Sequence, residues 1–383
     1  MKRLLLLATV LVLPAPSAQA DGCPPSQCGI LSSAVPGSRF LHVRTNGDRG
    51  PLRVYDVASR QDVVTLRPGM MSADRTRFVS VQTVERTTSY LSTHSLPDGT
   101  RLSWRKLPGR FGLAGVSRTG TRVVLSGTGD LRNTTVFAVA DRGRIVQTVR
   151  LPGAYELETL SPDGNRLFLI HWRTNGYDLE TYDLTTKRLR PTVMLEDGQP
   201  EKLVGQAWRG VSTRDGRWLL TLYLKGREAF VHALDLQRGI GHCVDLPAHG
   251  DPLTLGASGL GLSPDQRTLY VVNPILGRVF TIDLRRPRVS RVARFEPWLG
   301  ADEVGFGASP NVAVAANGRT LYFNGNGLLW AYDAPYGRVR GPYPARRWVM
   351  GLAFTPDDRR LVVLGGDGKA GLLDAATGRR ISG

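Results

Sequence analysis

The stretch LSPDGNRLFLIHW, Leu160 to Trp172, decides the fold. It returns as LSPDQRTLYVVNP from Leu262 to Pro274 and as FTPDDRRLVVLGG from Phe354 to Gly366. Looser copies of the corner are Pro36-Gly37-Ser38-Arg39, Ser72-Ala73-Asp74-Arg75, Ser117-Arg118-Thr119-Gly120, Thr213-Arg214-Asp215-Gly216 and Ala315-Ala316-Asn317-Gly318. That makes eight corners, spaced by about 36 to 52 residues, the period of propeller blades. In each corner Ser accepts a local backbone donor, Pro pre-sets φ, Asp caps the next amide and Gly takes a positive φ. The chain can so reverse between two strands without leaving amides unpaired.

An alternating apolar run follows each corner, as in Leu167-Phe168-Leu169-Ile170 or Leu361-Val362-Val363-Leu364, and reads as a strand. A further run ends in Asp, at Asp56, Asp183, Asp235, Asp283, Asp333 and Asp374; repeats two and three depart, with Ser95 and Val139 near that place. One more strand completes each unit. Four strands cannot bury both faces alone, whereas units stacked around an axis can, and ring closure removes most exposed edges. Pro and Gly interrupt nearly every window of helical length. The expectation is an all-β chain: a β-propeller of four-stranded blades, with eight repeats, or seven blades if repeat two, weak around Met70-Met71, does not close one.

The corner phrase and the Tyr-Asp-Leu elements, over nearly all of Gly29 to Gly383, resemble the secreted bacterial WD40-like, or YVTN (TolB-type), β-propeller repeats. The resemblance implies a propeller and leaves function open, since such repeats occur in binding scaffolds, lactonases and quinoprotein subunits. The tryptophan–aspartate dipeptide of eukaryotic WD40 blades is missing.

Lys2 and Arg3, the leucine-rich run Leu4 to Leu13 and Ala18-Gln19-Ala20 have the parts of a secretory signal. Cleavage is expected after Ala20, giving a leader over 1–20, a short segment over 21–28 and one propeller domain over 29–383, exported from the cytoplasm. In an oxidising compartment Cys23 and Cys28 form a local disulfide, with Cys28–Cys243 as the rival pairing.

The formal charge is +17, or about +15 without Lys2 and Arg3, almost all from arginines spread along the chain. No nucleic-acid motif and no internal membrane-spanning run is present. The histidines lack HExxH spacing, the Asp-Gly pairs do not continue as calcium loops, and no nucleophile elbow occurs, so no metal and no cofactor is expected.

Function in such a ring is carried by loops on a rigid frame. The connectors from Glu196, Ala248 and Phe295 are long, and charged or aromatic residues stand near the start of inner strands: Arg110, Tyr155, Glu156, Trp208, Arg209, Asp302, Glu303, Arg347 and Trp348. Arg and aromatic side chains are common anchors at binding surfaces. Glu156 and Glu158, two apart on one strand, point to the same side as an acid pair or stand solvated in the channel. The leading expectation is a monomeric, non-catalytic scaffold that binds a protein or an envelope polymer with its long-loop face. The alternative is an enzyme, lactonase-like or quinoprotein-type, with titratable groups meeting in the central funnel.

Overall fold

The computed structural model describes residues 30–382 apart from 46–49, 86, 128–133, 175, 197–198, 201–202, 298–309, 326 and 346–348. The leader, the 21–28 segment and the Cys23–Cys28 pair lie outside the described residues. Among these residues no disulfide forms; Cys243 is their only cysteine and is half-buried.

Eight antiparallel sheets follow one another along the chain: blades one (30–66), two (70–108), three (111–152), four (155–191), five (206–249), six (259–294), seven (312–344) and eight (349–382). Each pairs its four strands in sequence order, innermost first. The seven-blade alternative is excluded, because the two-residue strand Met70–Met71 does pair with Arg77–Glu85 and opens a blade of its own. Blade five carries two extra strands. Val193–Glu196, from the connector after blade four, lies parallel to the outer strand Ile240–His249, and Gln199–Pro200 folds back on it.

The corners are built as the phrase implies. Ser161 Oγ donates to Asp163 (2.5 Å) and accepts from the Arg166 amide (2.9 Å). Asp163 accepts from the Asn165 amide at 3.0 Å, and Gly164 sits at φ +72°. Ser72, Ser117, Thr213, Ser263 and Thr355 take the equivalent amide five residues on. Ser161→Ala orphans that amide, so it is expected to lower stability by about 1–3 kcal/mol in a denaturant melt. A loss indistinguishable from that of an exposed outer-strand serine would show the clasp to be idle.

In blades one, four, five, six and eight the Asp that ends the third strand caps the next turn; Asp235, for example, accepts from the amides of Gln237 and Arg238. In repeat three this place is held by Asp141, the last residue of Thr134–Asp141, and not by Val139. Asp141 pairs with Arg122 as Asp183 pairs with Arg166 in blade four.

The core is divided among the joints between blades, and each of its eight apolar clusters joins two neighbouring sheets. The joint of blades one and two is the thinnest, with Leu52, Val54, Leu66 and Phe78 as its buried members. Blade one turns His42 and Arg44 into it, at the strand positions that blade four fills with Phe168 and Ile170. The Arg44 guanidinium lies 5.5 Å from the centre of the Phe78 ring.

Strand order gives the ring two unlike faces. The corners and the Asp-capped turns open on one, the turn face. The second hairpin of each blade and the blade-to-blade connectors open on the other, the connector face.

Candidate functional site

Two of the candidate residues, Glu158 and Trp208, occupy bulges. Register slips between Leu157 and Thr159 and between Ala207 and Arg209, so both are left out of the pairing and aimed into blade joints. Trp208 is only 8% exposed and packs with Trp218 and Leu255 between blades five and six. Its Nε1 donates to the Gly256 carbonyl at 2.8 Å. Gly256 ends a one-turn helix, Pro252–Gly256, started by Asp251, whose carboxylate accepts from the Leu253 and Thr254 amides. A Cβ at Gly256 would stand 2.4 Å from the indole, so the helix is seated directly on Trp208. Asn273 Nδ2 holds the Thr254 carbonyl at 2.7 Å from below. Helical periodicity could not reveal a segment of this length; Asp251-Pro252, a capping residue followed by Pro at the first helical position, is the signal that could.

The other candidates are distributed as follows. Tyr155 is buried and stacked on His171, 3.9 Å between ring centres, and its hydroxyl donates to Glu180 at 3.1 Å. Burial and the Glu180 charge push that phenol up to about 12. Glu156 accepts from Trp172 Nε1 at 3.3 Å. Arg209 is buried in the channel, and its guanidinium donates to the Pro310 carbonyl of blade seven at 3.3 Å. Burial lowers it to about 10. Arg110 is exposed on the connector face. Asp302, Glu303, Arg347 and Trp348 lie outside the described residues. The structure therefore does not assemble the described five into one cluster.

Glu158 is buried, although it borders the channel cavity. It is 4% exposed, its Oε2 has no hydrogen-bond partner among the described residues, and burial followed by the Glu156 charge pushes its carboxyl up to about 8. It belongs to a polar seam between blades four and five. Tyr177, whose hydroxyl donates to the Gly205 carbonyl at 3.2 Å, and Tyr223 face it there. His232 lies deeper, edge-on to Tyr223, with both ring nitrogens unpartnered among the described residues and its basicity lowered by burial to about 3.

The central channel forms a cavity of ≈ 170 Å³, lined on its inner strands by Ser33, Gly115, Glu158 and Arg209 and towards the turn face by Arg75 and Arg118. It extends between blades one and two to His42 and Arg44. A second cavity, ≈ 290 Å³, opens on the turn face over the same joint and shares His42 and Arg75 with the first. Among the described residues no three His, Cys, Asp or Glu side chains come together as a metal site.

No family profile and no curated protein matches the sequence. Among solved structures the chain is similar to the dihydro-heme d1 dehydrogenase NirN in complex with DHE, with a TM-score of 0.53 and 15% identity over 96% of this chain and 79% of that one. It is also similar to the Dos1 propeller (TM-score 0.49, 10% identity, 91% and 94% covered) and to the hydrazine synthase of Kuenenia stuttgartiensis (TM-score 0.47, 12% identity, 96% and 99% covered). At these identities the likeness is one of fold alone. The chain is an eight-bladed β-propeller; the finer resemblance to YVTN or TolB-type repeats is not established by any relative. No helix among the described residues is long and apolar enough to cross a membrane.

Proposed function

We propose that this propeller is an exported, non-catalytic binding scaffold that docks a protein partner on its connector face. One observation supports the reading most: the two long connectors that flank blade five turn apolar side chains outward. Val204 is 48% exposed and Leu253 is 53% exposed, whereas the connectors that lead into blades two, three and four have only two or three residues. Leu253 is carried by the helix clamped on Trp208 and Asn273, so its position is fixed before a partner arrives, which limits the entropy lost on docking. Aromatic and arginine residues predicted as contacts here act partly from beneath, as supports.

The test is co-precipitation from an envelope extract with the double variant Val204→Asp, Leu253→Asp. The expected result is loss of the captured protein with the melting temperature unchanged, since neither side chain is buried. Retention of every partner by the folded double variant would remove the connector face from consideration. Capture of a polysaccharide and no protein would point to an envelope polymer instead.

A further inference from the structure

The turn face carries a second constellation, on the side of the ring away from the connectors. Where Pro162 stands in blade four, the other corners place Pro36, Ala73, Pro264, Ala316 and Pro356, but Arg118 in blade three and Arg214 in blade five. Both arginines reach the channel mouth. Arg118 lines the inner cavity and lies against Gly216 of blade five, and Arg214 lines the outer cavity beside Pro36 and Arg75.

The corner's fourth position is the left-handed one. Gly120, Gly164, Gly216 and Gly318 fill it elsewhere, whereas Arg75, Gln266 and Asp358 hold φ near +60° with a side chain. That conformation disfavours a Cβ, so the side chain has to compensate. Gln266 accepts the Arg214 amide and Asp358 accepts the Ala316 and Asn317 amides, each bonding the preceding blade. Arg75 likewise reaches back, donating to Ser33 Oγ of blade one at 2.7 Å, and this places its guanidinium over the joint.

Beneath it lies His42, 6% exposed, with neither ring nitrogen hydrogen-bonded among the described residues although both cavities touch it. The Ser33 backbone is near the ring without making a hydrogen bond to it. Burial, with Arg75 and Arg44 adding to it, lowers His42 to about 3, so the ring is neutral and one nitrogen is a donor. Among the described residues that line these cavities the carboxyl groups are Asp74, which binds Ser72, Thr76 Oγ1 and the Thr76 amide, and Glu158, held protonated on the far side.

We propose that the turn-side mouth of the channel, at the joint of blades one and two, binds a small oxyanion through Arg75, Arg118, Arg214, Arg44, Ser33 and His42. Guanidinium forks match carboxylate and phosphate oxygens, and a neutral imidazole and a hydroxyl complete such a cradle. Cavities of ≈ 170 and ≈ 290 Å³ suit a phosphorylated or polycarboxylate small molecule.

Isothermal titration with inorganic pyrophosphate and, separately, with citrate tests this at low salt and at about 0.15 M salt. The expected result is one site per chain for at least one probe, and the stronger probe tells phosphate from carboxylate. Binding should weaken at least about tenfold in Arg118→Ala, Arg214→Ala, whose side chains are not buried in the core, and stay unchanged in Arg144→Ala on an outer strand. His42→Phe should also weaken it, with circular dichroism checking the fold. Absence of binding to both probes, equal affinity in the double variant, or an equal loss in Arg144→Ala would overturn the site. Because the connector face is not involved, failure here leaves the proposed docking of a protein untouched, and the reverse holds.

Discussion

Trp208→Ala is expected to destabilise the ring by roughly 3–5 kcal/mol, the largest single effect we anticipate, and to abolish capture of a partner on the connector face. The indole fills the joint of blades five and six with Trp218, Leu220, Leu222 and Leu255, and the only space left at Gly256 is smaller than a methyl group. Removing it leaves a cavity where strand and helix are both held by backbone and cannot collapse inward. It also orphans the Gly256 carbonyl. Trp208→Phe separates the two contributions: most of the volume stays and the hydrogen bond goes, so a loss nearer 1–2 kcal/mol is expected. Denaturant melts of both variants measure this. If Trp208→Ala lost less than about 1 kcal/mol, the helix would not be seated as described.

Glu158→Gln is expected to stabilise the protein, increasingly so as pH rises. Folding raises the carboxyl from its ordinary value near 4.5 to about 8, so the folded state keeps a proton that the unfolded state releases. Below about pH 4.5 both states are protonated and nothing is lost. Between there and about pH 8 the native chain loses stability at up to roughly 1.4 kcal/mol per pH unit, and above that the loss is complete. Glutamine has the shape of the neutral acid and cannot ionise. Melts from pH 4.5 to 9 should therefore start together for the two proteins and diverge, with the gap reaching a few kcal/mol near pH 8. Parallel curves over the whole range would mean that Glu158 ionises freely and is not enclosed between blades four and five.

The corners were legible in the sequence because their chemistry is local. Ser161, Asp163 and Gly164 satisfy one another's neighbours within six residues, so eight copies could be counted without knowing how the sheets pack. The site was less legible because it depends on departures from period two and on approach between distant blades. The period put Glu156 and Glu158 on one side; a bulge leaves Glu158 opposite no residue and buries it, and of the two roles open to it the paired one, with Glu156 adding to the effect of burial, fits better than an exposed place in the channel. Trp208 had the composition of a rim anchor, but its bulge and the short helix above it turn it inward. Arg118 and Arg214 stand in the sequence as the two arginines that directly follow a corner's Ser or Thr where blade four has Pro162. Their meaning needed the ring, which brings blades one, two, three and five to one mouth.

The joint of blades eight and one is made as the others are. Leu41, Val43 and Tyr55 of the first sheet pack on Met350, Val362 and Leu364 of the last, and Gly351 lies against Leu41. Among the described residues neither sheet borrows a strand from the other terminus, and the first and last sectors meet by adhesion between two four-stranded surfaces. Parting the two sheets there would cost one apolar interface and unravel no hairpin among the described residues.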